Sequence, residues 1–142
     1  MLSITTASKT DKKDILRFYK QQHYSARFLG FDHCYVIKSN QQIIASVIVS
    51  MITQNNNQAF LHALVVDTNY RHQHLASMLL QHCIRQHLEL VCFAQLSLAP
   101  LYINNGFVQA KINSLTPELQ QRYQRYLAKN SDLLPFYSLL KN

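Results

Sequence analysis

The sequence has few cysteines and no long apolar run. Its three cysteines, Cys34, Cys83 and Cys92, form no CxxC pair. We therefore expect neither a disulfide framework nor a four-cysteine zinc site. The same feature predicts a cytoplasmic location. The longest apolar stretch, Ile43 to Ile52, is interrupted by two serines and is too short to cross a bilayer. The N-terminus lacks the basic and apolar segments of a secretory signal.

Acidic side chains are also scarce. Seven Asp and Glu face 14 Lys and Arg, which gives a formal charge of +7. A basic surface favours anionic partners such as nucleic acid, anionic lipid or a phosphorylated cofactor. The chain contains no run of five like charges and no recognisable RNA-binding aromatic motif, so we do not expect nucleic acid as the partner. A nucleic-acid-associated module stays open as an alternative, and it predicts binding that falls steeply as salt rises.

Apolar residues, by contrast, are plentiful. They make up 48% of the residues, which is enough to bury a core. The chain length of 142 residues is too short for two ordinary domains. We therefore expect a single domain over residues 1–142. Periodicity predicts strands near 3–7, 34–38, 42–52, 59–66, 90–96 and 107–112, and helices near 10–22, 74–88, 98–105 and 117–129.

The order of these elements predicts an α+β (mixed α/β) fold. A strand, helix and strand over residues 59–96 imply a parallel βαβ crossover within an otherwise antiparallel sheet, with helices on both faces. After the Thr116-Pro117 helix start, we expect a helical C-terminal extension from about residue 117. This extension could close a substrate site or form a homodimer face.

Two segments carry the chemistry. The first is the turn between the strand ending at Val66 and the helix starting near His74, where several backbone N–H groups have no helical acceptor and can bind phosphate. The alternative is an ordinary crossover whose Arg71 faces solvent. The second is the short helix with Tyr102, which ends at Asn105-Gly106. The alternative there is that Tyr102 only packs.

Together, these segments resemble the GCN5-related N-acetyltransferase (GNAT) family. Arg71-His72-Gln73-His74-Leu75-Ala76 is similar to its Q/R-x-x-G-x-G/A pyrophosphate signature, and Leu101-Tyr102-Ile103-Asn104-Asn105-Gly106-Phe107 to its lYeklGF segment. The resemblance covers residues 59–108. It departs from the family at His74, where glycine is usual; a histidine can still donate its backbone N–H if its side chain points away.

The resemblance implies acetyl-CoA as co-substrate and no metal. The pyrophosphate would be held by the turn and first helical residues, and the pantetheine arm by the backbone of the preceding strand. The residues so implied are Arg71, His72, Gln73, His74, Leu75, Ala76 and Ser77 for the pyrophosphate and Leu64, Val65 and Val66 for the pantetheine.

The implied reaction is transfer of an acetyl group to an amine. It needs a neutral amine, a polarised carbonyl and a proton for the departing thiolate. The family places a tyrosine at the position of Tyr102 for that last role. His62 is the candidate base, because it is the only titratable side chain in its apolar strand, where alternation places it on one face with Phe60, Leu64 and Val66. A buried structural histidine is the alternative reading of His62, and Asp67 is the alternative base.

The acceptor is a small-molecule or a protein amine of unknown identity. The resemblance places its pocket at residues 19–31 and 109–115. Tyr24, Arg27 and Phe28 suit an acceptor with an apolar part and a carboxylate, although a packed aromatic cluster would look the same. A catalytically inactive acyl-CoA-binding sensor is the alternative function.

Overall fold

The computed structural model describes residues 2–26, 32–52 and 58–139. The strands are β1 (Ser3–Thr6), β2 (His33–Ser39), β3 (Gln42–Met51), β4 (Gln58–Val66), β5 (Glu89–Gln95), β6 (Val108–Gln109) and β7 (Leu133–Leu139). The helices are α1 (Lys12–Gln21), α2 (Leu75–Gln86), α3 (Ala99–Asn104) and α4 (Pro117–Lys129). No helix in this part of the chain is long and apolar enough to cross a membrane.

The seven strands form one sheet in the order β1-β2-β3-β4-β5-β7-β6. The pairs β1–β2, β2–β3, β5–β7 and β6–β7 are antiparallel, and β4–β5 is parallel. The helix α2 connects the two parallel strands, as the βαβ pattern requires. The α+β prediction with a mostly antiparallel sheet is therefore confirmed.

By density of contacts, the chain divides into two compact units. The first comprises Met1–Ser50 and Leu61–His82, and the second Met51–Phe60 and Cys83–Asn142. The single-domain reading of residues 1–142 remains a prediction.

The core of the first unit lies between α1 and the strands. Ile15, Phe18 and Tyr19, at helical spacing on α1, are 1–3% exposed. They pack with Cys34, Val36, Ile48 and Ala63. The Tyr19 hydroxyl donates to the Ala63 carbonyl at 2.7 Å and lies 2.9 Å from the Ser46 hydroxyl. Burial raises the pKa of Tyr19 well above its ordinary value.

The start of the first helix differs from the sequence prediction. From its residue type and position, Thr10 is a plausible N-cap, but Ser8 caps a 3-10 turn over Lys9–Asp11 that leads into α1. Ser8 donates its backbone N–H to Asp11 Oδ2 at 2.9 Å, so the carboxylate three residues on completes a capping box. Thr10 lies inside that turn, with its hydroxyl 2.8 Å from that of Ser8.

The second unit has its own core. Phe60, Val91, Ala110, Leu115 and Leu119 pack together. Gln58 is buried beside them and uses both ends of its amide. Its Nε2 donates to Glu89 Oε1 at 2.9 Å and to the Ser114 carbonyl at 3.2 Å, while its Oε1 accepts from the Thr116 N–H at 3.0 Å. This side chain thereby joins the start of β4 to the start of α4.

The C-terminal segment corrects the expectation of a helical extension. A helix does begin at Pro117, with Thr116 Oγ1 accepting from the Leu119 N–H at 3.3 Å. Residues 133–139, however, are a strand that lies between β5 and β6. Pro135 argues against a central strand because it has no N–H to donate. The position is tolerated here, and its carbonyl accepts from the Ala110 N–H at 2.9 Å.

Replacing Gln58 should be costly. In Gln58→Ala the Thr116 N–H and the Glu89 carboxylate lose a buried partner, so we expect the free energy of unfolding to fall by about 2–3 kcal/mol. Urea denaturation followed by circular dichroism measures this. The control is Gln42→Ala at the exposed start of β3, which should change stability by less than about 0.5 kcal/mol. Equal effects of the two variants would contradict the role given to Gln58.

Stability should fall in alkali because of Cys34. Burial raises the pKa of this thiol from 9.0 to about 11. The unfolded thiol ionises first, so its contribution is complete below pH 9 and is lost as the pH rises to about 11. We expect Cys34→Ala to lose less stability than the wild type between pH 8 and pH 10.5, by on the order of 2 kcal/mol. Chemical denaturation at both pH values measures the free energy of unfolding. An equal loss between the two pH values in the variant and the wild type would contradict the prediction.

Candidate active site

The segment after β4 turns sharply before α2. Asp67 Oδ1 accepts from the Asn69 N–H at 2.8 Å, and the Asp67 N–H donates to the Ile44 carbonyl at 2.8 Å. A 3-10 turn follows over Thr68–Tyr70, and residues 71–74 lead into the helix at Leu75. The Asp67 carboxylate therefore shapes the turn, as its position at the strand end indicates, and this weakens its case as a base.

The four residues before α2 are exposed and include two unusual backbone conformations. His72 has φ +67° and His74 has φ +61°. Both values lie in the left-handed region, which glycine enters without strain. For other residues this conformation costs about 1–2 kcal/mol. At His74 the chain thus has the conformation that favours glycine, without the glycine. The departure from the family pattern changes the side chain, and the turn keeps a glycine-like backbone.

The start of α2 presents backbone amides beyond this turn. The Met78 N–H donates to the His74 carbonyl at 3.0 Å, the first turn of the helical pattern. The first N–H groups of a helix are the ones available to caps and ligands, and the helix dipole makes this end positive. Leu75 is buried, while Ala76 and Ser77 are half-buried and Arg71, Gln73 and the two histidines are exposed. Geometry and charge both suit a diphosphate.

The candidate pantetheine-binding stretch follows an irregularity in β4. Ala63 has φ +56° within the strand, so the strict alternation assumed for Phe60, His62, Leu64 and Val66 is interrupted between His62 and Leu64. A left-handed residue rotates the chain, so alternation before Ala63 does not tell which face the side chains after it occupy. Leu64, Val65 and Val66 are half-buried. They lie beyond Gln58–Phe60, the β4 residues in the ladder with β5.

His62 is half-buried in the first unit. Its Nε2 lies 2.8 Å from the Ser50 hydroxyl of the neighbouring strand β3. This contact fixes the ring orientation and gives one ring nitrogen a polar partner. Both readings of His62, a base and a structural histidine, are consistent with the contact. Ser50 was not singled out by the sequence analysis, because nothing local relates it to His62.

Tyr102 lies on α3 in the second unit and is 6% exposed. Its ring stacks on Phe136 at 5.9 Å and meets Phe107 edge-on at 5.6 Å. Its carbonyl accepts from the Phe107 N–H at 3.0 Å, and Gly106 closes the helix with φ +96°. The LYINNGF segment therefore fixes the tyrosine in place.

The predicted acceptor residues are only partly within the described structure. Tyr24 is 42% exposed, and its ring is 5.8 Å from that of Tyr19. It lines a cleft of about 370 Å³ together with Leu16, Lys20, His23, Ser25 and Ala26. Arg27 and Phe28 lie outside the described residues. The second predicted segment, 109–115, lines a different cleft of about 350 Å³ with Gln58 and Glu89.

The cysteines and histidines form no further centre in the described chain. Cys34, Cys83 and Cys92 form no disulfide and lie buried among core residues. Burial raises the pKa of Cys92, which makes it a poor nucleophile. Within residues 2–26, 32–52 and 58–139, no group of three His, Cys, Asp or Glu side chains is placed to hold a metal ion.

Several solved structures share the fold. N-acetylglutamate synthase from Neisseria gonorrhoeae, solved with coenzyme A and N-acetylglutamate, aligns with TM-score 0.77 at 13% identity over 100% of this chain and 36% of that one. The same enzyme with coenzyme A and L-arginine gives 0.76, at 14% identity over 99% of this chain and 34% of that one. This chain thus spans about a third of those proteins.

Shorter structures align over nearly their whole length. A GNAT-family acetyltransferase from Staphylococcus aureus Mu50 gives TM-score 0.69 at 18% identity, covering 99% of this chain and 100% of that one. Ribosomal-protein-S18-alanine N-acetyltransferase from Escherichia coli gives 0.66 at 16% identity, covering 100% and 96%. These likenesses show the fold.

Sequence comparison identifies the family. No curated protein sequence matches the chain. The model of the acetyltransferase (GNAT) family, however, matches residues 1–107, which include β1–β5, the turn before α2 and the Tyr102 helix. The chain belongs to the acetyltransferase (GNAT) family.

Proposed function

We propose that this protein is an N-acetyltransferase that transfers the acetyl group of acetyl-CoA to an amine. The observation that carries the proposal is the left-handed turn at His72 and His74, which leads directly into the amide end of α2. A non-glycine residue adopts this backbone at a cost, and functional sites are where such strain is retained. One neighbour, N-acetylglutamate synthase from Neisseria gonorrhoeae, is complexed with coenzyme A in both of its structures, which supports the same co-substrate here.

In this proposal residues 71–77 hold the pyrophosphate. The amides of His72 to Ser77 supply hydrogen bonds, and the Arg71 guanidinium adds charge at the mouth of the turn. The backbone of Leu64, Val65 and Val66 pairs with the pantetheine arm as an added strand would, because these residues follow the part of β4 that pairs with β5.

The chemistry requires two proton transfers. The amine nitrogen attacks the thioester carbonyl, the carbon–sulfur bond breaks, and the nitrogen loses a proton. We assign His62 as the base, directly or through water, since Ser50 orients its ring and Asp67 is occupied by its turn. We assign Tyr102 as the acid that protonates the departing thiolate, because its ring is fixed by Phe107 and Phe136.

An acyl-CoA-binding sensor without catalysis is the second candidate. The burial of Tyr102 favours it, because the ring contacts with Phe107 and Phe136 account for this side chain without a catalytic role. The two functions share the cofactor site and differ in what Tyr102 does.

Replacing His74 tests the cofactor site. His74→Gly keeps the left-handed turn without strain, so it should bind acetyl-CoA at least as tightly as the wild type. His74→Val, whose β-branched side chain resists a positive φ, should bind at least about tenfold more weakly. Isothermal titration measures both affinities, with Gln86→Ala at the exposed end of α2 as the control. A wild-type affinity in the valine variant would contradict the role given to the turn.

Replacing the Tyr102 hydroxyl tests catalysis. Tyr102→Phe keeps the ring contacts but removes the proton donor, so we expect kcat to fall by about 100-fold while acetyl-CoA affinity stays within about twofold. Thiol release from acetyl-CoA, measured with a panel of amines, reports turnover. Ile103→Ala, on the exposed side of the same helix, is the matched control. If the wild type binds acetyl-CoA but acetylates no amine, the sensor is the better description.

A further inference from the structure

A helix separates two strands that a tight turn could join. β6 pairs antiparallel with β7 through Val108 with Tyr137 and Gln109 with Phe136. Antiparallel neighbours need only a two-residue hairpin between them. Here residues 110–132 intervene and include α4. The helix is firmly placed: Leu119 is fully buried, and the Tyr123 hydroxyl donates to the Leu133 carbonyl at 2.7 Å.

The helix α4 and Tyr102 lie on opposite faces of β5. Phe136 pairs with Cys92 of β5, so the two side chains point to the same face of the sheet. Tyr102 stacks on Phe136 and therefore lies on that face. Phe93 is the next residue of β5, and it points to the other face. There it contacts Tyr123 at 5.1 Å and Tyr126 at 5.7 Å between ring centroids, and both tyrosines belong to α4.

Four rings form an aromatic cluster on that second face: Phe60, Phe93, Tyr123 and Tyr126. Phe60 lies 4.9 Å from Phe93 and 6.1 Å from Tyr126, with Tyr126 edge-on to both. Phe93 is only half-buried, and Tyr126 is 40% exposed. The cluster therefore offers ring surface to a flat apolar group from solvent.

A guanidinium stands over this cluster. Arg122 places its Cζ 5.1 Å from the centre of the Phe60 ring and is half-buried. Within the described ranges its guanidinium makes no ion pair or hydrogen bond, although Glu118 lies one helical turn earlier. A guanidinium over a ring keeps its N–H edge for a planar anion, and a carboxylate fits that edge in a bidentate fashion.

We propose that Arg122 and the aromatic cluster bind the acceptor, and that the acceptor is an amine carrying a carboxylate and a flat apolar group. This inference rests on the proposed acetyl transfer. Tyr102 and the aromatic cluster flank adjacent residues of β5 on its two faces. If the sulfur lies beside Tyr102, the other face of the same strand is left for the acceptor. Arg122 takes the carboxylate, and Phe93 and Tyr126 take the apolar group.

The first test measures binding without catalysis. The probes are 3-phenylpropanoate and its uncharged amide, titrated calorimetrically into the CoA-saturated full chain. The wild type should bind the acid at least about tenfold more tightly than the amide, and Arg122→Gln should remove the difference. Arg125→Gln, exposed on the same helix, is the control and should retain it. Equal binding of acid and amide, or no effect of Arg122→Gln, overturns the inference.

The second test separates this inference from the proposed function. L-Phenylalanine and 2-phenylethylamine, which differ by the carboxylate, are compared as acceptors in the wild type, Arg122→Gln and Arg122→Lys. A KM for phenylalanine that rises about tenfold in Arg122→Gln, and less in Arg122→Lys, supports both. If the amines are acetylated with the same KM in all three proteins, the inference is overturned and the proposed function stands. Arg122-dependent binding of the acid with no turnover of any amine overturns the proposed function and leaves the anion site.

Discussion

The hydrogen bond from the Tyr19 hydroxyl to the Ala63 carbonyl is the contact on which the first unit depends. At 2.7 Å it joins the buried face of α1 to the middle of β4. Ala63 is left-handed there, a conformation that costs an L-residue about 1–2 kcal/mol, and a buried carbonyl without a donor would add to that cost. The tyrosine supplies the donor at the residue where β4 changes direction. His62 precedes this residue and the candidate pantetheine stretch follows it, so the hydrogen bond holds the backbone at the point between them.

Left-handed backbone without glycine recurs along the chain. His23, Asn40, Gln41, Ala63, His72 and His74 all have φ between +51° and +67°. At Asn40 and Gln41 the cause is the two-residue hairpin between β2 and β3, whose turn requires two positive φ values in succession. At His72 and His74 no hairpin imposes them. The strain there lies beside exposed side chains and a positive helix end, which is why we attribute it to ligand binding.

The second unit places a packed tyrosine on one side of a strand and, on the other side, an arginine that lies over an aromatic ring. Cys92 and Phe93 are adjacent in β5, yet one faces the layer of Tyr102 and the other faces α4. A strand that directs successive side chains to opposite faces can bring two substrates together from two sides with little material between them. The helix between β6 and β7 gives one of those sides a cation and aromatic surface. Gln58 secures its start by accepting from the Thr116 N–H.

Local chemistry explains which parts of the fold could be predicted. The Thr116-Pro117 start and the Asn105-Gly106 end are signals within a few residues, and the two helices begin and end where these signals indicate. β7 could not be predicted, because Pro135 opposes a central strand and the strand's partners in β5 lie 38 to 50 residues away along the chain, from Gln95 with Leu133 to Glu89 with Leu139. Periodicity carries no information over such a separation. The Ser8 cap was missed because a 3-10 turn precedes the helix, and Thr10 is also a favoured capping residue.

The sequence by itself determined the family, the α+β order and the two segments of the candidate site, since each depends on residue types at fixed spacing along the chain. Only the tertiary structure decided how the residues are used. It gave His74 a glycine-like backbone, placed Ser50 against His62 and interrupted the alternation at Ala63. It also laid Arg122 over Phe60 on the face of β5 opposite Tyr102. The reason is physical: spacing fixes what neighbours along the chain can do, whereas these contacts join residues whose separation is closed only when the strands pair and the cores pack.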